Sequence, residues 1–172
     1  MASQFIPDYR FLTFDEVTPE FLLSIGIKGV LLDIDNTLEP YENPTPGPRV
    51  TLWLKSLEEN GIRAAFVSNN GKERVELFNK ELRLPAYYKA KKPFKRNLVK
   101  ALSDISCTPN EAIFIGDQIF TDVYAAKRMG MRAVLLPPIN DKRDAFTKFK
   151  RLLEKPFLKK YDNINGDKND KT

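Results

Sequence analysis

Two carboxylates, Asp33 and Asp35, stand two residues apart directly after the apolar run Val30-Leu31-Leu32. Charged groups at the end of a buried strand lose hydration, and like charges this close resist double ionisation unless a cation or a proton lies between them. A hard metal ion is the economical partner. Asp33 can act as a nucleophile on phosphorus, because carboxylates form acyl-phosphate intermediates and nothing else in the chain offers a better covalent nucleophile. Asp35 is then left to give and take a proton as general acid and base.

Three further polar groups follow extended runs in the same way. Ser68 closes Ala64-Ala65-Phe66-Val67, Asp117 closes Ile113-Phe114-Ile115-Gly116, and Lys92 follows a weaker piece, Ala86 to Tyr88. Sites in open α/β sheets lie beyond the carboxyl ends of the strands, so these segments should deliver their side chains to one sheet edge. Magnesium suits the set, since it takes oxygen ligands and is held by one or two carboxylates together with a substrate phosphate. Asp33 and Asp117 would supply the carboxylates, and the Asp35 main-chain carbonyl a third oxygen. The Ser68 hydroxyl and the adjoining Asn69 would bind phosphate oxygens, while Lys92 adds a compact positive charge against developing negative charge. Taken singly, each segment has a plainer reading as a strand-end turn, a helix cap or a solvated lysine pair. Their convergence is the specific signal.

The elements that position these groups follow from periodicity. Lys28 to Leu32, Ile62 to Val67, Ala112 to Ile115 and Ala133 to Leu136 read as strands buried on both faces. Thr18-Pro19-Glu20 starts a short helix ending near Gly26, and Thr45-Pro46 starts one carrying Val50, Leu52, Trp53, Leu54 and Leu57 that closes at Asn60-Gly61. Asn70-Gly71 has the form of a hairpin turn, but Val75, Leu77, Phe78 and Leu82 follow at helical spacing, so it joins a strand to a helix. Helices are also expected over Leu98 to Ile105, Val123 to Met129 and Asp144 to Glu154. Strands alternating with helices predict an α/β fold, a Rossmann-like three-layer sandwich around a central parallel sheet.

Composition narrows the chemistry. The 172 residues hold no histidine and one cysteine, Cys107, which removes histidine-based triads, imidazole zinc sites and any internal disulfide. No cationic start precedes an apolar block and no run approaches a membrane span, so the expectation is a soluble, cytoplasmic protein. The net charge of +5 is uneven: residues 141–172 carry ten Lys/Arg against six Asp/Glu, and the first 140 carry 18 against 17. A solvated helix face explains this most simply, and no nucleic-acid partner is expected. One domain over residues 1–156 is expected, with an N-terminal arm at 1–16 and a polar, disordered tail at 157–172.

The segments Asp33-Ile34-Asp35-Asn36-Thr37-Leu38, Val67-Ser68-Asn69-Asn70, Lys92-Pro93 and Gly116-Asp117-Gln118-Ile119-Phe120-Thr121-Asp122 resemble the haloacid dehalogenase-like (HAD) phosphatase superfamily, in family order. The match is similar to its class III, YqeG-type group over residues 6 to 150. The resemblance implies Asp33 as nucleophile, Asp35 as acid and base, Ser68 on phosphate, Lys92 as stabiliser, Asp117 as a Mg2+ ligand, and Thr37 with Asp122 outside or bridged to the metal by water. Asn36 stands where many members have glycine, and Lys91 is the alternative to Lys92.

No inserted cap domain fits between these segments, and an open site suits a bulky phosphate ester. Tyr41, Glu42 and Asn43 in the first loop are the candidates for touching the leaving group. The YqeG-type group is similar to phosphatases of phosphatidylglycerophosphate, which implies a phospholipid headgroup as substrate and peripheral contact at the inner membrane face. The basic C-terminal excess and the aromatics Phe5, Tyr9, Phe11 and Phe14 could aid such contact. The rival readings are a phosphatase of small metabolites, sugars or nucleotides, a phosphate-binding regulatory module without turnover, and a phosphoacceptor signalling domain.

Overall fold

The apolar runs pair edge to edge. A computed structural model describes the backbone of residues 2–140 and 145–169, with side chains over 4–140 and 152–165. Strands β1 (Tyr9–Arg10), β2 (Gly29–Leu32), β3 (Arg63–Val67), β4 (Ala86–Tyr87), β5 (Ala112–Gly116) and β6 (Arg132–Leu135) form one sheet in the order β1-β6-β5-β2-β3-β4. Every pairing is parallel. β2 lies at the centre between β3 and β5, with Leu32 opposite both Phe66 and Ile115. Strand order runs outward one way through β3 and β4 and the other way through β5 and β6. The β2/β5 boundary is therefore the topological switch point, where such sheets bind ligands.

Alternation along the strands separates two cores. Val30, Leu32, Phe66, Ile113 and Ile115 face one side, against Leu22 of α1 (Pro19–Ser24), Trp53 and Leu57 of α2 (Pro48–Glu59) and Phe78 of α3 (Lys72–Asn79). Leu31, Ala65, Val67 and Phe114 face the other, against Leu98 and Leu102 of α4 (Arg96–Asp104) and Ala125 and Ala126 of α5 (Tyr124–Arg128). This is the three-layer α/β arrangement expected. The Thr18 hydroxyl accepts the Phe21 N–H at 3.2 Å to cap α1, an N-cap worth about 1 kcal/mol. Leu52, Leu77 and Val99 point outward, since a helical stripe buries only one face.

Several sequence expectations are corrected. The N-terminal arm supplies a sixth strand, β1, with Tyr9 opposite Val134. Its aromatics are used inside the fold: Phe14 packs on Trp53 at 5.2 Å, Tyr9 and Phe11 each meet Phe21 at 5.1 Å, and Phe5 stacks on Tyr124 at 4.5 Å. This is the packing of the arm on the domain that the sequence predicts, and it leaves these rings little free surface for a lipid. Helix α2 begins at Pro48 after Gly47, two residues later than expected, because the Gly47 N–H is held by Glu39 Oε1 at 2.8 Å.

The last helix, α6 (Ala145–Asn169), runs through Pro156 and through most of the stretch expected to be disordered. Its expected first residue, Asp144, and the tail end, 170–172, lie outside the described residues. Proline removes one helical hydrogen bond, but docking contacts on both sides offset that loss. Phe157 meets the Phe5 ring at 5.2 Å and the Phe120 ring at 5.9 Å. Further along, Asp162 pairs with Arg10 at 2.6 Å, and the Arg10 guanidinium lies over the Tyr161 ring. Among the described residues no helix is long and apolar enough to cross a membrane.

Candidate active site

Parallel pairing brings four separate segments to the carboxyl edge of the sheet. The Asp33 N–H bonds the Ile115 carbonyl of β5 at 3.0 Å, which sets Asp33 beside the Gly116-Asp117 turn. Carboxylate oxygens of Asp33, Asp117 and Asp122 lie within 4.8 Å of one another, all buried. The Lys92 ammonium enters from the β4–α4 segment, 2.7 Å from Asp33 and 2.8 Å from Asp122. Thr37 donates to Asp33 at 3.1 Å and also approaches Asp117 at 3.4 Å, bridging the first and last segments.

Local chain geometry explains how each group arrives. Asn36 has φ of 61°, a left-handed conformation that asparagine tolerates better than most non-glycine residues, and its N–H bonds the Glu39 carbonyl at 2.7 Å to turn the chain. A glycine or an asparagine fits that turn for one physical reason. After β5 the chain makes a π-helical turn, Ile119–Val123, in which the N–H groups of Asp122 and Val123 both reach the Gln118 carbonyl. That turn folds Asp122 back onto Gly116, where a Cβ would collide with the Asp122 carboxylate. The Asp122 carboxylate also accepts the Gln118 N–H at 3.1 Å.

Charge in this cluster is unbalanced. Burial pushes the Asp33 carboxyl up to about 6; Lys92 pulls it the other way, and the Asp122 and Asp35 carboxylates add to the rise. Burial also opposes a charged Lys92, yet Asp122 and Asp33 outweigh it and push its pKa up, so the ammonium is retained. Three buried carboxylates facing one buried ammonium carry an excess of negative charge that a divalent cation would balance. The donor set is all oxygen, which fits a hard cation.

Above the cluster lies a cleft of about 440 Å³. Asp33, Asp35, Ser68, Asn69, Tyr41 and Glu42 line it, as expected from sequence. Asn43 instead turns away, donating to Glu39 at 2.8 Å. Ser68 is buried, and its oxygen accepts the Asn70 N–H at 3.0 Å, which leaves the hydroxyl hydrogen to point elsewhere. The Asn69 side chain is taken up by the Lys92 main chain, accepting its N–H at 2.7 Å and approaching its carbonyl at 3.4 Å. Asn69 therefore holds the Lys92 main chain through its side-chain oxygen while also lining the cleft. Lys92 is buried and Lys91 exposed, which resolves the choice between them.

Other residues of the site went unread in the sequence. Gln118 and Asn140 line the cleft, and Asn70 and Arg74 both bond the Asp35 carboxylate. Asn70 and Gln118 belong to the segments that carry the family resemblance, although those segments assign neither a role. Arg74 lies on a helix where a single arginine looks like ordinary solvated surface, so nothing in the sequence marked it.

The family model described as haloacid dehalogenase-like hydrolase matches residues 21–136. The chain belongs to that family. It is 34% identical over 154 residues to the "Probable phosphatase YqeG" of Bacillus subtilis, covering 90% of each chain. The "Glyceraldehyde 3-phosphate phosphatase" of Pyrococcus furiosus is 32% identical over 108 residues, covering 58% of this chain and 44% of its own. "Phosphatidylglycerophosphate phosphatase 1, chloroplastic" of Chlamydomonas reinhardtii is 29% identical over 135 residues, covering 73% of this chain and 50% of its own. Among solved structures, the cobalt-bound deoxy-D-mannose-octulosonate 8-phosphate phosphatase of Haemophilus influenzae shares the fold, with a TM-score of 0.53 at 14% identity over 79% of this chain and 90% of that one. As a haloacid dehalogenase-like hydrolase, the chain is a phosphoric monoester hydrolase whose acidic cluster suits a divalent metal.

Proposed function

We propose that the protein is a Mg2+-dependent phosphomonoesterase that works through an aspartyl-phosphate on Asp33 and acts on a bulky phosphate ester such as the headgroup of phosphatidylglycerophosphate. The observation that carries the reading is the convergence of Asp33, Asp117, Asp122 and Lys92 at the switch point of the sheet, under a cleft that Ser68 lines.

Asp33 attacks phosphorus through a carboxylate oxygen, and the bond from phosphorus to the leaving oxygen breaks. Asp35, across the cleft wall, gives that oxygen its proton. Water then attacks the phosphorus of the aspartyl-phosphate while Asp35 takes back a proton, which frees inorganic phosphate and restores Asp33. Throughout, the Ser68 hydroxyl donates to a phosphoryl oxygen, and Lys92, held by Asn69, keeps a fixed positive charge beside the nucleophile. Asp33, Asp117 and the main-chain carbonyl of Asp35 would hold the Mg2+, with Asp122 close enough to join directly or through water. When bound, the cation neutralises the carboxylates and polarises the phosphoryl oxygens.

The open cleft supports a large leaving group. Between Asp35 and Pro48 the chain makes only a turn and a loop, and between Val67 and Ala86 it adds only α3. The 29%-identical relative bears the name of a phosphatidylglycerophosphate phosphatase. Peripheral membrane contact would rest on the lysines of α6 and on exposed Leu12, Ile139, Leu152 and Leu153 rather than on the arm aromatics. The 32%-identical relative supports a second reading, a small phosphosugar as substrate. A phosphate-release panel separates them: phosphatidylglycerophosphate in mixed micelles, glyceraldehyde 3-phosphate, nucleotides and sugar phosphates, each with and without Mg2+, and Asp33→Asn as blank. The lipid reading expects the highest kcat/KM on the micellar substrate. A higher value on a soluble phosphosugar overturns it, and equal release by the Asp33→Asn protein overturns the mechanism.

A further inference from the structure

Asp35 has its own hydrogen-bond partners, distinct from those of the acidic cluster. Its Oδ1 accepts from Arg74 Nε at 2.9 Å and its Oδ2 from Asn70 Nδ2 at 3.1 Å, so one partner comes from the first turn of α3 and the other from the loop before it. The Arg74 and Asp35 side chains are each only 11% exposed. Arg74 also donates through Nη1 to the Pro44 carbonyl at 2.9 Å, and its guanidinium lies over the Phe78 ring. Its Nη2 is buried with no hydrogen-bond partner among the described residues.

These contacts are unusual for a stabilising ion pair. A mostly buried pair sacrifices hydration on both sides, and a donor with no partner adds to that cost. A bidentate grip on one carboxylate would use two adjacent guanidinium nitrogens, as Arg49 does with Asp15 through Nε and Nη2. Arg74 uses only Nε on Asp35, and Asn70 takes the other oxygen. The Nη2 donor beside Nε is thus left without the second carboxylate oxygen, which Asn70 holds instead.

We propose that Arg74 is a positioning residue for proton transfer: it aims Asp35 at the leaving oxygen and ties that aim, through Pro44, to the Pro40–Pro48 loop whose Tyr41 and Glu42 line the cleft. The inference rests on the reading of Asp35 as the proton carrier. In the first step the proton moves from Asp35 to the leaving oxygen as its bond to phosphorus breaks, and the carboxylate so formed is the state that Arg74 and Asn70 hold. In the second step the same carboxylate takes a proton from the attacking water.

The test compares two substrates with Arg74→Ala and Arg74→Lys proteins. p-Nitrophenyl phosphate releases a good leaving group that needs no proton, whereas glycerol phosphate releases an alkoxide that does. General acid catalysis is worth about 10²–10⁴-fold, and losing its aim should forfeit part of this. The expected result is a kcat loss about 10- to 100-fold larger on glycerol phosphate than on p-nitrophenyl phosphate, partly restored by Arg74→Lys, with KM for p-nitrophenyl phosphate nearly unchanged. In an Asp35→Asn background Arg74→Ala should then cost nothing more.

Equal losses on both substrates in the single-turnover rate of leaving-group release, which excludes the shared second step, or a full additional loss in the Asp35→Asn background, overturn the proposal. If Asp35→Asn itself shows no leaving-group dependence, the role of Asp35 fails. If Asp35→Asn shows it and Arg74→Ala does not, only the role of Arg74 fails. Arg74→Gln, which keeps the stem over Phe78, replaces the alanine variant if that one does not fold.

Discussion

The Glu154 carboxylate accepts the main-chain N–H of Ile119 at 2.8 Å, from a helix 35 residues further along the chain. Glu154 is 4% exposed, and Ile119 opens the π-helical turn that carries Asp122. The last helix thus reaches into the acidic loop. Glu154→Ala leaves that buried N–H without this acceptor, at a cost of about 1–3 kcal/mol in urea unfolding. It should also weaken Mn2+ binding followed by electron paramagnetic resonance. Unchanged affinity for Mn2+ would show that the loop holds its shape without α6.

Lys92→Met keeps the side-chain stem and deletes the ammonium that pairs with Asp33 and Asp122. Breaking a buried pair by removing one partner costs about 3–5 kcal/mol. Loss of the positive charge beside the nucleophile lowers kcat by about 10²–10³-fold. Added Mg2+ should recover much of the lost thermal stability and little of the turnover, since the cation balances the carboxylates without replacing Lys92. Full recovery of kcat by excess Mg2+ would remove Lys92 from catalysis.

The pH dependence follows from Asp33, whose carboxyl is raised from 3.8 to about 6 by burial. A carboxyl raised in the folded state stabilises the fold fully below its unfolded value of 3.8, and that contribution is lost as pH climbs through about 6. The metal-free protein should therefore lose Tm over this window. Mg2+ binds the ionised form, so the Mg2+-induced gain in Tm should grow across the same window and then level off. In Asp33→Asn the metal-free slope disappears, and a slope that persists there would assign the titration to another group.

Gly116→Ala tests the packing of the acidic turn. Its Cβ would collide with the Asp122 carboxylate, and overpacking of this kind costs about 1–3 kcal/mol. Because the shift falls on Asp122, turnover should drop more steeply than stability, and Ala125→Gly on α5 gives the comparison for a simple packing defect. Wild-type kcat in Gly116→Ala would mean that Asp122 can move without consequence.

Much of this architecture was legible in the sequence because its signals are local. The strands buried on both faces are continuous apolar runs, and Asp33, Ser68 and Asp117 stand at their ends, where a parallel sheet must present them. What escaped depends on contacts between distant segments. β1 has two residues and no period, and it exists because β6 offers an edge near residue 134. α6 outlasts Pro156 because Phe5, Phe120 and Arg10 hold it. The hold of Asn69 on the Lys92 main chain joins residues 23 positions apart, and only the fold decides where its amide points.

The bridge from Thr37 to Asp33 and Asp117 spans 80 residues of chain, and the central strand β2 has both of its neighbours supplied by later segments. A nascent chain still short of β5 holds Asp33, Asp35, Ser68 and Lys92 but lacks Asp117 and Asp122, so the acidic cluster is complete only once β5 and the turn after it are in place. The cluster therefore depends on contacts between segments far apart in the chain, which form late because loop closure must precede them.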